Sequence, residues 1–173
     1  MSIELRPLTE ADIAAHNAGE DAETVRWLSG GWATEETTRR HFAELAANAA
    51  RGAGKRGFGV WLDGSLAGYV DFDPDCDDVP EPGDVNISYA VHPWARGRGV
   101  ATAAVAAVCE VIARERVGRR VIIRAEPRNA PSVAVAERSG FTFLSEAVSV
   151  TDRDEDGQPV VFRVYALDLP QGR

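Results

Sequence analysis

Arg96-Gly97-Arg98-Gly99-Val100-Ala101 stands between a predicted strand and a predicted helix, and it is the most informative stretch of the sequence. The strand covers Val85 to Val91, and the helix, rich in Ala and Val, covers Val100 to Arg116. A glycine-rich turn that opens a helix directs several backbone N–H groups to one point at the positive end of the helix dipole. Because that geometry binds phosphate or pyrophosphate, we expect a phosphate-bearing cofactor at residues 96–101.

The composition is that of an ordinary globular chain and limits the choice of partners. Of the 173 residues, 45% are hydrophobic and 27% are charged, which predicts a single domain over residues 1–173. The net charge of −8 argues against a nucleic-acid partner, and no apolar run approaches the roughly 18 residues that span a membrane. The N-terminal residues lack a signal-peptide pattern, and two cysteines make no disulfide framework. We therefore expect a cytoplasmic protein with no membrane partner.

Hydrophobic periodicity and turn residues predict an α/β fold. Strands 85–91 and 120–125 are joined by a crossover helix and should lie parallel at the centre of the sheet. Antiparallel hairpins at both ends, one turning at Asp63-Gly64-Ser65, complete a mixed, mostly antiparallel sheet of six or seven strands with about four helices. The predicted strands cover 3–8, 58–62, 66–72, 85–91, 120–125, 141–150 and 160–169. One predicted helix begins at Thr9, and the others cover 24–28, 35–50, 100–116 and 131–139.

Several motifs resemble those of the GNAT N-acetyltransferases, over nearly the whole chain. Arg96-x-x-Gly99-x-Ala101 is similar to the family's pyrophosphate loop, and His92-Pro93 precedes it as in many members. The segment Asn129 to Ser132 is similar to the family's Asn-x-x-Ser helix, which Gly140-Phe141 closes. The N-terminal segment Arg6 to Asp12 resembles the branch of ribosomal-protein N-terminal acetyltransferases, the RimJ/RimL type. The resemblance implies a GNAT fold, in which the central parallel pair splays apart and acyl-CoA lies in the gap.

The same resemblance implies acetyl-CoA as co-substrate, without a metal, and assigns its ligands. The strand end at Val91 would supply backbone groups to the pantetheine arm and an N–H that polarises the thioester carbonyl. Asn129 would hydrogen-bond to the pantetheine region, and Ser132 would lie near the sulfur. The loop glycines would let the backbone approach the pyrophosphate, and the loop arginines would add charge-assisted contacts. The implied cofactor-binding set is Val91, His92, Arg96, Gly97, Arg98, Gly99, Val100, Ala101, Asn129 and Ser132.

Acetyl transfer to an amine needs a base for the ammonium group and an acid for the departing thiolate. Many family members have a tyrosine as the acid where this chain has Ala136, so Ser132 is the candidate. Relatives often have a glutamate where Asn86 stands, and Asp84 on the same strand face could replace it through water. The candidate catalytic residues are Ser132, Asp84 and Asn86, and Asp71 and Asp73 are equally open as bases.

These residues predict an acyl-CoA-dependent N-acyltransferase that moves an acetyl group to a primary amine by direct attack in a ternary complex. The acceptor is a small-molecule amine or a protein N-terminus. Ala136 and Asn86 keep an alternative open, in which the chain is an acyl-CoA-binding sensor or partner protein that has lost catalysis. The chain is expected to be a monomer or a homodimer.

Three other features allow both a functional and a structural interpretation. Seven acids in residues 71–84 form either an acidic rim that attracts a cationic amine or a mobile, solvated loop. Trp27 and Trp32 either wall an acceptor site or pack in the core. The segment Asp152 to Gly157 matches half of a calcium-binding loop, but Arg163 replaces the bidentate glutamate, which favours a hairpin turn.

Overall fold

The structure is a computed structural model that describes residues 1–170. Its strands are β1 (Ile3–Arg6), β2 (Arg56–Leu62), β3 (Ser65–Asp73), β4 (Asp84–Val91), β5 (Arg120–Ala125), β6 (Thr142–Arg153) and β7 (Pro159–Asp168). Its helices are α1 (Ile13–Ala18), α2 (Ala22–Thr24), α3 (Glu35–Arg51), α4 (Val100–Arg114) and α5 (Ala130–Arg138). Short 3₁₀ turns cover Glu10–Asp12 and Pro93–Ala95, and a π-helical turn covers Val25–Ser29.

The strand order confirms the predicted fold class. Seven strands form one sheet in the order β1-β2-β3-β4-β5-β7-β6. β4 and β5 run parallel, with Asp84 opposite Arg120 and Ile87 opposite Ile123. The pairs β1–β2, β2–β3, β5–β7 and β6–β7 are antiparallel. The parallel pair in the middle and the hairpins at both ends are therefore where the sequence predicts them.

Contacts divide the chain into two compact units. The first unit comprises Met1–Phe72 and Ser88–Val108. The second comprises Asp73–Ile87 and the described residues from Cys109 onward. The single domain over residues 1–173 stays a prediction. Within residues 1–170, no helix is long and apolar enough to cross a membrane.

The first unit is built from β1, the β2–β3 hairpin and α3. The hairpin turns at Asp63 and Gly64, whose φ angles of 49° and 86° belong to a two-residue turn. Thr34 caps α3 by accepting a hydrogen bond from the Thr37 N–H at 3.1 Å. The core cluster of this unit comprises Leu8, Ile13, Phe42, Leu45 and Tyr69.

One residue of α3 is placed wrongly by the sequence pattern. The spacing of apolar residues predicts Phe42, Leu45 and Ala46 on one face of the helix, whereas Ala46 is exposed. The buried polar residue Asn48 continues that face instead, and its side-chain amide donates to the Lys55 carbonyl at 2.8 Å. Because that bond satisfies the amide, a polar residue occupies a position where an apolar one is expected.

The second unit contains the start of β4 together with β5, β6 and β7. The β5 residues Val121, Ile122 and Ile123 are fully or almost fully buried, as expected for a central parallel strand. A core cluster of Ile122, Val164 and Ala166 lies across the β5–β7 pair. The predicted cofactor-binding residues lie at the end of β4 and on the segments that follow β4 and β5, and the candidate bases Asp71 and Asp73 lie on β3.

Candidate active site

The loop between β4 and α4 takes a backbone shape that requires its two glycines. Gly97 and Gly99 have φ angles of 72° and 76°, in the left-handed region that other residues enter only with strain. No atom lies within 4 Å of a Cβ built on either residue. The Gly99 carbonyl accepts the Ala103 N–H at 3.0 Å and so starts α4. The first-turn N–H groups of α4, beginning at Val100 and Ala101, have no partner inside the helix, which is the property that binds anions.

The two arginines of this loop have different surroundings. Arg96 makes a two-point ion pair with Asp21: Nη1 lies 2.6 Å from Oδ2, and Nη2 lies 2.9 Å from Oδ1. This pairing holds the pKa of Asp21 well below its usual range. Arg98 is exposed, and its guanidinium makes no hydrogen bond or ion pair with any residue of 1–170. The sequence treats the two arginines alike, whereas Arg98 has the unengaged charge.

The end of β4 is held rigidly. The Val91 carbonyl accepts a hydrogen bond from Arg96 Nε at 3.0 Å, and the next N–H, of His92, donates to the Ala67 carbonyl at 2.7 Å. Both polar groups of the peptide between Val91 and His92 are therefore fixed. The buried His92 ring packs against Gly19, where a Cβ would lie 2.2 Å from the ring, and burial lowers the pKa of His92.

Asn129 and Ser132 lie together at the start of α5 in the second unit. The Asn129 side-chain oxygen accepts the Ser132 N–H at 3.3 Å and caps the helix. The half-buried Ser132 stands in the first turn of α5. Asn129 carries a further donor in its side-chain Nδ2, and the Ser132 hydroxyl can both donate and accept, so both residues have chemistry suited to a polar ligand. Their predicted roles toward pantetheine and sulfur stay predictions.

Asp84, a predicted base, is buried in a two-point ion pair at the start of β4. Its Oδ1 lies 2.8 Å from Arg120 Nε, and its Oδ2 lies 2.7 Å from Arg120 Nη2. The same Oδ2 accepts the Glu81 N–H at 3.0 Å. Both carboxylate oxygens are therefore engaged in holding the start of β4 to β5.

Asn86, two residues along the same strand face, pairs with the second arginine of β5. Its Oδ1 accepts from Arg124 Nε at 3.2 Å. Arg124 Nη1 also lies 2.9 Å from Asp78 Oδ2 and 3.2 Å from Asp152 Oδ2. Sequence reasoning missed both β5 arginines. Arg120 and Arg124 are four residues apart, so their side chains lie on the same face of β5. Because β5 is parallel to β4, this spacing is the sequence signal that could have placed them beside Asp84 and Asn86.

The acidic segment is only partly a solvent-exposed rim. Asp71 and Asp84 are buried, and the Asp78 side chain is 8% exposed. Asp78 accepts from the Ser149 hydroxyl, from the Val150 N–H at 2.8 Å and from the Thr151 hydroxyl at 3.2 Å. Asp78 is therefore fixed rather than mobile. The exposed acids that could form a rim are Asp75, Asp77 and Glu81, whereas Asp73 is half-buried and accepts the Asp75 N–H at 3.0 Å.

Asp71, another predicted base, belongs to a buried hydrogen-bond chain in the first unit. The Tyr69 hydroxyl donates to Asp71 Oδ2 at 2.8 Å, and His41 Nε2 lies 3.1 Å from the same hydroxyl. Because the single hydroxyl proton goes to Asp71, His41 must donate from Nε2. The His16 ring lies 5.8 Å from the Tyr69 ring, centroid to centroid. Sequence reasoning did not anticipate this cluster.

The aromatic and acidic segments singled out in the sequence have simple local structures. Trp27 is half-buried, with its Nε1 donating to Glu23 at 2.8 Å, whereas Trp32 is 64% exposed and so does not pack in the core. At the β6–β7 turn, Asp154 Oδ1 accepts the N–H groups of Asp156 and Gln158, as in a hairpin turn. In residues 1–170, no group of three or more His, Cys, Asp or Glu side chains is arranged to hold a metal ion.

Comparisons with known proteins identify the family and support the fold. The family model described as an acetyltransferase (GNAT) domain matches residues 2–142. RimL, a ribosomal L7/L12 alpha-N-protein acetyltransferase solved with coenzyme A, is 23% identical, with a TM-score of 0.81 over 98% of this chain and 95% of that one. Mycobacterium smegmatis RimJ with CoA-disulfide is 24% identical, with a TM-score of 0.79 over 98% and 85%. Aminoglycoside acetyltransferase AAC(6')-Ib with coenzyme A is 19% identical, with a TM-score of 0.74 over 96% and 95%. No curated protein sequence gives a significant match.

Proposed function

The chain belongs to the GNAT acetyltransferase family, and from that premise we propose how this acetyl-CoA-dependent N-acetyltransferase holds its co-substrate and which amine it modifies. The pyrophosphate of acetyl-CoA binds at Arg96–Ala101. The observation that carries this proposal is the pair of left-handed glycines, Gly97 and Gly99, directly before the N-terminus of α4. Arg98, whose guanidinium is unengaged within residues 1–170, supplies the charge-assisted contact to phosphate.

The strand end binds the acyl arm through its backbone. The Ala90 carbonyl points at Gly68, since a Cβ on Gly68 would lie 2.4 Å from that oxygen. Because the peptide is trans, the Val91 N–H points the opposite way, away from Gly68. That N–H is the group we propose to polarise the thioester carbonyl. The peptide that joins Val91 to His92 contributes indirectly, because its bonds to Arg96 and to Ala67 hold the strand end in place.

Asn129 and Ser132 keep the roles that the family resemblance implies. The Asn129 side-chain Nδ2 donates to a pantetheine carbonyl, because its Oδ1 already caps α5. The Ser132 hydroxyl gives its proton to the departing thiolate and acts as the general acid. The amine attacks the thioester directly. Burial raises the pKa of the Cys109 thiol to about 12 and also raises that of Cys76, so neither is a ready nucleophile.

The acceptor is proposed to be the α-amino group of a peptide or protein. An α-amino group has a pKa near 7.7–8.0, against about 10.4 for an alkylammonium, so it needs less help from a base. The candidate base Asp84 is engaged by Arg120, and Asn86, which stands where relatives have a glutamate, has no carboxylate and accepts from Arg124. The fold similarity to ribosomal-protein acetyltransferases supports the RimJ/RimL-type branch. The exposed acids Asp75, Asp77 and Glu81 would attract a cationic acceptor.

A small-molecule amine is the second candidate, because an aminoglycoside acetyltransferase shares the fold. A cytoplasmic location fits either acceptor, since Cys76 and Cys109 are free thiols.

Release of coenzyme A thiol from acetyl-CoA tests the function. The acceptors are a peptide with a free α-amine, the same peptide with a blocked α-amine and one lysine, and an aminoglycoside. We expect the highest kcat/KM with the free α-amine and acetylated product by mass spectrometry. Preference for the aminoglycoside would favour the small-molecule acceptor. Acetyl-CoA binding with no thiol release for any amine would favour the sensor and overturn the proposed transfer.

A further inference from the structure

Arg96 connects three segments of the first unit. Its guanidinium forms the two-point pair with Asp21 and lies 3.4 Å from the Thr24 hydroxyl through Nη2. Asp21 caps α2, because its Oδ1 accepts the Thr24 N–H at 3.0 Å. Arg96 itself stands in the phosphate-binding loop, and its Nε donates to the Val91 carbonyl at the end of β4. One side chain therefore fixes the distance between the α2 cap, the loop and the strand end.

The orientation of Arg96 depends on Asp21. The planar guanidinium presents its donors in a fixed fork, so a carboxylate that takes both Nη groups also sets the direction of Nε. When both Nη groups are paired with Asp21, Nε donates to the Val91 carbonyl at 3.0 Å. The His92 N–H is already committed to the Ala67 carbonyl, so the peptide of Val91 and His92 has a single orientation.

The pair is too exposed for its main role to be stability. The Arg96 and Asp21 side chains are 38% and 30% exposed, and ion pairs of such exposure contribute little to folding. The geometry is nevertheless specific, because four hydrogen bonds converge on one guanidinium. Arg98, two residues later, offers an exposed charge that no residue of 1–170 engages in this way.

We propose that Asp21 is a positioning residue for acetyl transfer: through Arg96 it holds the Val91 carbonyl and so fixes the strand end that presents the Val91 N–H to the thioester, while Arg98 binds the phosphate. This inference rests on the proposed function of the loop and strand end. Misplacing a group that acts on the thioester lowers the rate of the chemical step more than it lowers the affinity for the co-substrate. The expected signature of losing Asp21 is therefore a fall in kcat with little change in acetyl-CoA affinity.

Asp21→Asn tests the proposal, because asparagine keeps the cap of α2 but loses the charge that seats the guanidinium. We expect kcat to fall about tenfold, while the Kd for acetyl-CoA changes by less than about threefold. Arg98→Gln should show the opposite split, with a larger rise in Kd than fall in kcat. Glu35→Gln breaks the exposed ion pair of Glu35 with Arg39 and is the matched control, with wild-type kcat and Kd.

Arg96→Lys tests the same link and leaves Asp21 as the cap of α2. Lysine keeps the charge but not the fork, so kcat should fall as in Asp21→Asn. The double variant should lose little more than either single one, because both changes break the same link. Wild-type kcat in Asp21→Asn or Arg96→Lys would overturn the inference, as would equal changes in kcat and Kd. A wild-type protein that transfers no acetyl group to any amine would overturn the proposed function as well.

Discussion

Gly68 on β3 and Ala90 on β4 approach so closely that a Cβ on Gly68 would lie 2.4 Å from the Ala90 carbonyl oxygen. The obstacle is backbone and cannot rotate away, so Gly68→Ala must shift the end of β4. We expect the free energy of unfolding to fall by about 1–3 kcal/mol, as in other overpacked sites. Because Ala90 precedes Val91, kcat should also fall. Denaturant unfolding and the thiol-release assay measure both effects.

Gly31→Ala is the matched control for this prediction. Gly31 lies in the same unit, is exposed, and has no atom within 4 Å of a built Cβ. Its φ angle is outside the left-handed region, so alanine fits there without strain. Equal stability of Gly68→Ala and Gly31→Ala would refute the close approach of β3 and β4.

Asp84→Asn separates a structural role from a role as base. Breaking the buried pair with Arg120 should lower the free energy of unfolding by about 2 kcal/mol, because the arginine loses its partner. Glu4→Gln, which breaks the exposed pair of Glu4 with Arg6, should leave stability unchanged. Corrected for the folded fraction, kcat of Asp84→Asn should stay near the wild-type value. A folded variant of normal stability that has lost acetyl transfer would instead identify Asp84 as the base.

His16 should make the protein less stable in mild acid. Burial, followed by the neighbouring His92 and His41, lowers the pKa of His16 from 6.5 to about 4. Between these values the unfolded chain binds a proton at His16 that the folded protein does not. The contribution of neutral His16 to the free energy of unfolding is therefore fully present above pH 6.5 and is lost as the pH drops toward 4. The loss from His16 is about 3 kcal/mol at most.

Denaturant unfolding measures this dependence between about pH 7.5 and about pH 4.5, a range that includes the ordinary pKa of histidine. Burial also lowers the pKa of His41 and of His92, so those residues add a change of the same sign. His16→Asn should therefore flatten the curve in part, whatever its effect on absolute stability. An unchanged slope in His16→Asn would show that folding does not shift the pKa of His16.

The fold could be predicted because its signals are local. The Asp63-Gly64 turn, the Thr34 cap and the apolar run of β5 each specify one element, and right-handed crossover packing then leaves few arrangements. The same holds for the phosphate loop, since glycines 97 and 99 precede a helix in the sequence as they do in the structure. The sequence explains these glycines by the close approach of the backbone to a pyrophosphate. The structure adds a second reason, because both residues adopt positive φ.

The side-chain partners could not be predicted, because they depend on contacts between distant parts of the chain. Asp21 and Arg96 are 75 residues apart, and a rule that assigns loop arginines to phosphate has no means of distinguishing Arg96 from Arg98. Asp84 is a candidate base by its strand position, and its engagement by Arg120 emerges only once the register of β4 and β5 is known. Tertiary pairing thus decides which polar groups remain for chemistry.

The proposed function depends on acetyl-CoA binding at the loop that ends in Gly99. Calorimetric titration of acetyl-CoA into the wild type, Gly99→Ala and Gly52→Ala tests this binding. Gly52 ends α3 with a φ angle of 65°, close to the 76° of Gly99, and both positions have open space around a Cβ. The two variants therefore carry similar backbone strain, about 1–2 kcal/mol each. We expect Gly52→Ala to bind acetyl-CoA like the wild type and Gly99→Ala to bind at least about tenfold more weakly. Equal affinities of the two variants would contradict the assignment of the loop.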